Sequence, residues 1–233
     1  MSHTKNSQAF FEFLKEWEND LKVMPLVQAA PHPTHTVVIS SDMIKGFCSI
    51  GPLASSRIAS IIPHVVTLFE NCWDYGVHNI VLVQDEHEKD AVEFGAYPVH
   101  CVRGSEEAQA IDEFTSLPFY DQIIIIRKNS ISAALNTALK DWIDAHPDID
   151  TFIIVGDCTD ICIYQLAMYL QMDANAYQKQ RKVIVPADCV ETYDRPAAIA
   201  QVEGGFPHPG DVLHGVFLYH MALNGIEIVR RIG

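Results

Sequence analysis

Short apolar, β-branched runs alternate along most of this chain with longer stretches of helical periodicity. The runs at 36–40, 79–83, 122–126, 151–155 and 182–185 are continuous rather than alternating. That pattern suits strands buried on both faces of a parallel sheet. Helical patterns lie between them at 55–75, 132–145, 160–172 and 195–201, with Pro63 placed to open the main part of the first. The stretch 212–223 reads as a helix and 225–229 as a final short strand. Ahead of all this, Phe10, Phe11, Phe13, Leu14, Trp17, Leu21 and Val23 recur among charged residues as in an amphipathic helix over 10–23. A proline-containing link, 25–34, follows it. The repeated β-α order predicts an α/β fold: a three-layer, doubly wound sheet, mostly parallel, of about six strands with helices on both faces. Residues 1–30 form an N-terminal helical extension in this reading, and 31–233 the main domain.

The composition narrows the functional classes. The 233 residues carry a net charge of −14, which opposes binding to phosphate backbones and to anionic membrane surfaces. No run of about 20 apolar residues is present, so no membrane span is expected. Residues 1–20 lack the apolar centre of a signal peptide. The six cysteines (48, 72, 101, 158, 162 and 189) follow no disulfide spacing, which fits a reducing, cytoplasmic setting. Cys158 and Cys162 have no second thiolate pair with which to build a structural zinc site. No Gly-x-Ser-x-Gly surrounds Ser55, and no Gly-x-Gly-x-x-Gly follows the first strand, so a serine hydrolase and a dinucleotide-binding domain are both disfavoured.

The candidate chemistry falls at strand ends, where open α/β sheets bind ligands. The run 151–155 stops at Gly156 and passes into a helix with Cys162 near its start. Amides there favour a thiolate and a developing oxyanion. The first strand ends in Ser41-Asp42, the second in Gln84-Asp85-Glu86-His87, and the third in Arg127-Lys128. Asp, Asp/His, Lys and Cys thus reach one rim from four successive strands. On an extended segment Asp85 and His87 point the same way and can face one ion. A later loop returns His100, within Tyr97-Pro98-Val99-His100-Cys101-Val102.

Through Asp42-Met43-Ile44-Lys45-Gly46-Phe47, Lys128 and Gly156-x-x-Thr159-Asp160-x-Cys162, the chain resembles the isochorismatase-like cysteine hydrolases, and within them the nicotinamidases. The resemblance runs from about 37 to 190. It implies a catalytic triad of Asp42, Lys128 and Cys162, with the backbone N–H groups of Cys158 and Cys162 as oxyanion donors. In relatives the peptide at Asp157–Cys158 is cis. It also implies a divalent metal, Zn first and Fe or Mn as alternatives, held by Asp85, His87, Glu93 and His100. Glu93 departs from the commoner histidine, and Glu88 and Asp90 lie near enough to compete for its place. Phe47 and Tyr97 match positions that pack around the substrate ring. The activity implied is hydrolysis of a small-molecule amide, nicotinamide first, by a metal-containing cysteine amidohydrolase in a homo-oligomer. Carbamoyl, ureido or vinyl ether substrates, and a non-catalytic scaffold, are the rival expectations. Asp188 reads as a helix cap, and His208, His214 and His220 as structural or surface residues.

Overall fold

The structure is a computed structural model that describes residues 2–233, with side chains from Asn6 onward. Its main sheet contains strands β1 (Thr36–Ser41), β2 (Asn79–Asp85), β3 (Ile124–Lys128), β4 (Thr151–Asp157), β5 (Lys182–Pro186) and β6 (Glu227–Val229). Every pairing is parallel, and the order across the sheet is β3-β2-β1-β4-β5-β6. The two-residue strand Val190–Glu191 adds a seventh element beside the end of β4. The predicted runs are therefore the strands, those before the last running one or two residues further at their carboxyl ends, except that β3 begins at Ile124 rather than 122 and the last strand at Glu227 rather than 225.

Alternate side chains of the same strand serve different layers. Val38, Ile153 and Val155 face one core, together with helices α2 (Ser56–Ser60) and α3 (Ile62–Tyr75). Val37, Ile39, Phe152 and Ile154 face the other, covered by α4 (Leu139–Ala145), α5 (Tyr164–Tyr177) and α7 (Gly210–Leu223). Helix α6 (Ala197–Glu203) lies in the connection between β5 and α7. The central strands β1 and β4 are buried along their whole length, which explains their continuous apolar sequence. Each such aliphatic side chain contributes about 1.5–3 kcal/mol by its burial.

Two helical predictions are corrected. The pattern over 55–75 is broken at Ile61, and Pro63 opens the longer helix as its position suggests. The pattern over 132–145 becomes helix only from Leu139. Ser132 Oγ accepts from the amides of Ala134 and Leu135, and Thr137 Oγ1 accepts from Leu139 N. Asn136 takes φ +55°. Short polar side chains here satisfy the backbone in place of a helical ladder.

The N-terminal helix α1 runs over Ser2–Asn19 and ends before Val23, which lies in a two-residue strand paired in parallel with Arg231–Ile232. Leu14 is buried against Gly215, where a Cβ would come within 3.3 Å of the leucine. Phe10, Phe13 and Trp17 set their rings against Tyr219 at 5.4–5.7 Å. Among the described residues no helix is long and apolar enough to cross a membrane.

The helices that follow β1 and β4 depart to opposite faces. The carboxyl ends of these two neighbouring strands therefore form the kind of switch point at which open α/β sheets bind ligands.

Candidate active site

Strand register brings the first polar groups together. Asp85 and Lys128 are partners in the β2–β3 pairing, and Lys128 Nζ lies 2.5 Å from Asp85 Oδ1. The same ammonium is 2.9 Å from Asp42 Oδ2 and 3.7 Å from Cys162 Sγ. Asp42 follows the last residue of β1 in a left-handed conformation, φ +60°, which aspartate tolerates better than most residues. Its Oδ1 accepts the amide of Asp85 at 2.8 Å, and its Oδ2 accepts the hydroxyl of Ser41 at 3.0 Å. Asp42, Lys128 and Cys162 are all buried.

Cys162 sits in a π-helical turn, Thr159–Ile163, that leads into α5. The turn begins at a cis peptide between Asp157 and Cys158. Gly156, at φ +111°, lets β4 run against β1 at this point.

Burial dominates the electrostatics. It raises the pKa of Asp42, helped by Asp85, to about 6, while Lys128 and a hydrogen bond from Cys162 restrain the rise. It also pushes the Cys162 thiol well above its ordinary value, against the pull of Lys128. Burial therefore works against the thiolate that helix-start amides are expected to favour, and Lys128 works for it. Lys128 stays charged because Asp42 and Asp85 outweigh its burial.

Beyond Asp85 lies the second group. One ligand atom each from Asp85, His87 and His100 lies within 4.8 Å of the others, and all three residues are buried. Among the described residues His87 Nε2 has no hydrogen-bond partner; it stands 3.5 Å from Asp85 Oδ2 and 3.9 Å from Glu93 Oε1. An orphaned imidazole nitrogen aimed at two carboxylates fits a divalent cation, and nitrogen with oxygen donors suits Zn, Fe or Mn. Each ring's far nitrogen is anchored: His100 Nδ1 to the carbonyl of Pro98 at 2.7 Å, and His87 Nδ1 to Asn129 Oδ1 at 3.3 Å. Such anchors fix ring orientation at metal sites. Glu93 reaches His87 but spends its other oxygen on the amide of Ile131. Phe47 and Tyr97 both lie against His100, at 5.7 and 6.2 Å, as does Phe94 at 5.6 Å.

The sequence reading missed several residues of this region. Asn129 and Phe94 carry no motif of their own. Asp160 pairs with His208 across 48 positions, His208 Nε2 to Asp160 Oδ2 at 2.8 Å. Thr159 Oγ1 meets His214 Nδ1 at 2.9 Å. His208 and His214 are thus hydrogen-bonded to the turn that carries Cys162. Asp188 is no helix cap; it lies in a 3₁₀ turn 3.8 Å from His64.

His208 gives a pH signature. Its Nδ1 faces the carbonyl of Tyr193 at 2.9 Å while its Nε2 faces Asp160, and only the imidazolium donates to both. Burial opposes this charge, but Asp160 raises the pKa of His208. Burial likewise opposes ionised Asp160, and His208 and Thr192 hold its pKa down. The histidine's contribution is present below about pH 6.5 and lost as pH rises through its folded value; the aspartate's is present above about pH 4 and lost on acidification. His208→Asn should therefore lower the melting temperature more at pH 6 than at pH 8.5. An equal decrement at both values would show that the pair is not ionised.

Residues 36–212 match the Isochorismatase domain family. Nicotinamidase 1 of Arabidopsis thaliana is 24% identical over 243 residues, covering 97% of this chain and 98% of the relative. A pyrazinamidase of Pyrococcus horikoshii in complex with zinc shares the fold at a TM-score of 0.65, with 22% identity over 84% of this chain and 99% of that one. An N-carbamoylsarcosine amidase of Thermoplasma acidophilum does so at 0.61, with 22% identity over 84% and 95%. With the family match spanning the sheet from β1 into α7, this chain belongs to the isochorismatase-like hydrolases.

Proposed function

We propose that the protein is a metal-containing cysteine amidohydrolase whose substrate is nicotinamide, releasing nicotinate and ammonia. The observation that carries this reading is one buried ammonium, Lys128, in reach of Asp42, Cys162 and Asp85 at once. It joins a nucleophile and base to a candidate metal group.

In this mechanism the amide carbon is presented to Cys162 Sγ. Asp42, ionised at neutral pH, takes the thiol proton as the sulfur attacks. The backbone N–H groups of Cys158 and Cys162 receive the oxyanion. Protonated Asp42 then gives its proton to the departing nitrogen, and ammonia leaves behind a thioester. Water enters, loses a proton to Asp42 and attacks the thioester carbon. Collapse expels the sulfur, which recovers the proton from Asp42, and the acid is released. Lys128 holds Asp42 in place and offsets negative charge through both half-reactions. Coupling proton transfer to attack suits a thiol whose burial disfavours the free thiolate.

Asp85, His87 and His100, with Glu93 at the edge, would hold the divalent metal, Zn first and Fe or Mn as alternatives. When bound, it supplies a Lewis-acid anchor that orients a donor atom of the substrate. Asn129→Ala should weaken metal binding about 10–100-fold by freeing the His87 ring. Titration of apoprotein with zinc against a competing chelator measures this, and affinity within threefold of wild type would remove Asn129 from the site.

Ammonia release from nicotinamide, set beside release from an N-carbamoyl amino acid, tests the reading as a whole. Turnover of the ureido compound alone would replace the substrate. Turnover of neither, with Cys162 no more reactive toward iodoacetamide than Cys72, would favour a non-catalytic scaffold.

A further inference from the structure

The mechanism above leaves unused a cluster on the connection between Val190–Glu191 and α7. Thr192 Oγ1 donates to Asp160 Oδ1 at 2.6 Å, and His208 occupies Asp160 Oδ2. The His208 ring lies flat on Tyr193, with centroids 3.7 Å apart and planes 14° from parallel. Backbone bonds exchanged by Arg195 and His208, at 2.7 and 2.8 Å, close the loop on itself. Both ends of the connection therefore grip one carboxylate, and that carboxylate belongs to the turn that carries Cys162 two residues later.

The phenol of Tyr193 reports where this connection leads. After burial, the groups that push it up to about 12 are Cys158, Tyr97 and Asp160. Tyr97 is raised in turn by burial and then by Cys162. Stacked on the His208 ring, Tyr193 is tied through Asp160 to the turn that carries Cys162, while Tyr97 comes from another loop and lies against His100 at 6.2 Å; both phenols are half-buried. Nothing in the proton transfers requires either.

We infer that Tyr193 forms, with Tyr97, an aromatic wall of the substrate pocket, and that His208 is a positioning residue that latches this wall to the catalytic turn through Asp160. The inference rests on the amidohydrolase reading and deepens it. With Phe47 and Tyr97 against His100, Tyr193 would add an aromatic face from the side of the Cys162 turn, making a flat-sided slot. Such a slot matches a planar heteroaromatic carboxamide, whose faces stack on rings, better than an aliphatic ureido compound.

The test separates the wall from the latch, read on nicotinamide or on whichever amide the wild type hydrolyses. Tyr193→Ala should raise KM about tenfold, the effect of losing one well-packed aromatic partner, and Tyr193→Phe should restore KM to within about threefold. His208→Phe keeps a ring on Tyr193 but donates nothing to Asp160. It should lower kcat at least about tenfold while KM moves less than about threefold. A merely structural role would reduce the fraction of active protein and leave both constants of the remainder unchanged. Should His208→Phe fail to fold, Thr192→Val removes the other hydrogen bond to Asp160 and is read in the same way. A KM within twofold for Tyr193→Ala, or a kcat within twofold for the latch variant, overturns the inference while leaving the amidohydrolase intact. If the wild type hydrolyses no amide, that reading falls first, and alkylation of Cys162 by iodoacetamide then decides the latch. His208→Phe must change its rate at least fivefold, and an unchanged rate overturns it.

Discussion

Cys162→Ala should abolish turnover, lowering kcat at least about 10⁴-fold, while the protein keeps its fold and its metal. The loss corresponds to about 5.5 kcal/mol of transition-state stabilisation, and removal of a covalent nucleophile costs at least that much elsewhere. The geometry makes the experiment clean. Sγ lies 3.7 Å from Lys128 Nζ, farther than either carboxylate, so the ammonium keeps Asp42 and Asp85 when the sulfur is gone. The candidate metal group contains no cysteine. Zinc stoichiometry and melting temperature should therefore match the wild type. The rival chemistry, a metal-activated water attacking the amide directly, predicts the reverse: Cys162→Ala would retain turnover and His87→Ala would lose it. Activity within tenfold of wild type in Cys162→Ala would end the thioester mechanism. Intact-mass measurement during turnover adds a positive sign, an acyl adduct present on the wild type and absent from the variant.

How far this could be read from sequence follows from the range of each interaction. The strands were legible because a doubly buried strand must be apolar throughout, and 151–155 obeys that rule. Asp42, Asp85, Lys128 and Cys162 were legible as neighbours because parallel topology sends all four strand ends to one rim. The register of β2 on β3 then turns that expectation into the Lys128–Asp85 contact. What sequence hid were quantities set by enclosure. The position of Cys162 near a helix start argues for a thiolate, yet burial pushes its pKa the other way. No local pattern announces burial of that degree. The helix pattern over 132–145 failed for the opposite reason, since Ser132, Asn136 and Thr137 settle their backbone locally whatever the apolar spacing suggests. His208 was passed over because its partner, Asp160, is 48 residues away, and single histidines without ligand spacing carry no signal.

Gly156→Ala should cost the protein at least about 4 kcal/mol of stability, lowering its melting temperature by about 8–16 °C for a chain of this size. Two costs combine. At φ +111° the backbone is where an L side chain is strained, worth about 1–3 kcal/mol. The added Cβ would also stand 2.0 Å from the carbonyl oxygen of Ser41 and 2.9 Å from its nitrogen. Neither atom can swing away as a flexible side chain would. Ser41 and Gly156 are register partners in the β1–β4 pairing, at the centre of the sheet, and both strands are fully buried. Relief requires prying apart the pair that places Asp42 beside Cys162, so any folded fraction should be nearly inactive as well. Gly104→Ala isolates the first cost, because Gly104 also has positive φ, +77°, but nothing lies within 4 Å of its would-be Cβ. Thermal melts of the two variants give the steric part by difference. A Gly156→Ala melt no lower than that of Gly104→Ala would mean that β1 and β4 have room to separate, and the close approach of these two strands would lose its physical basis.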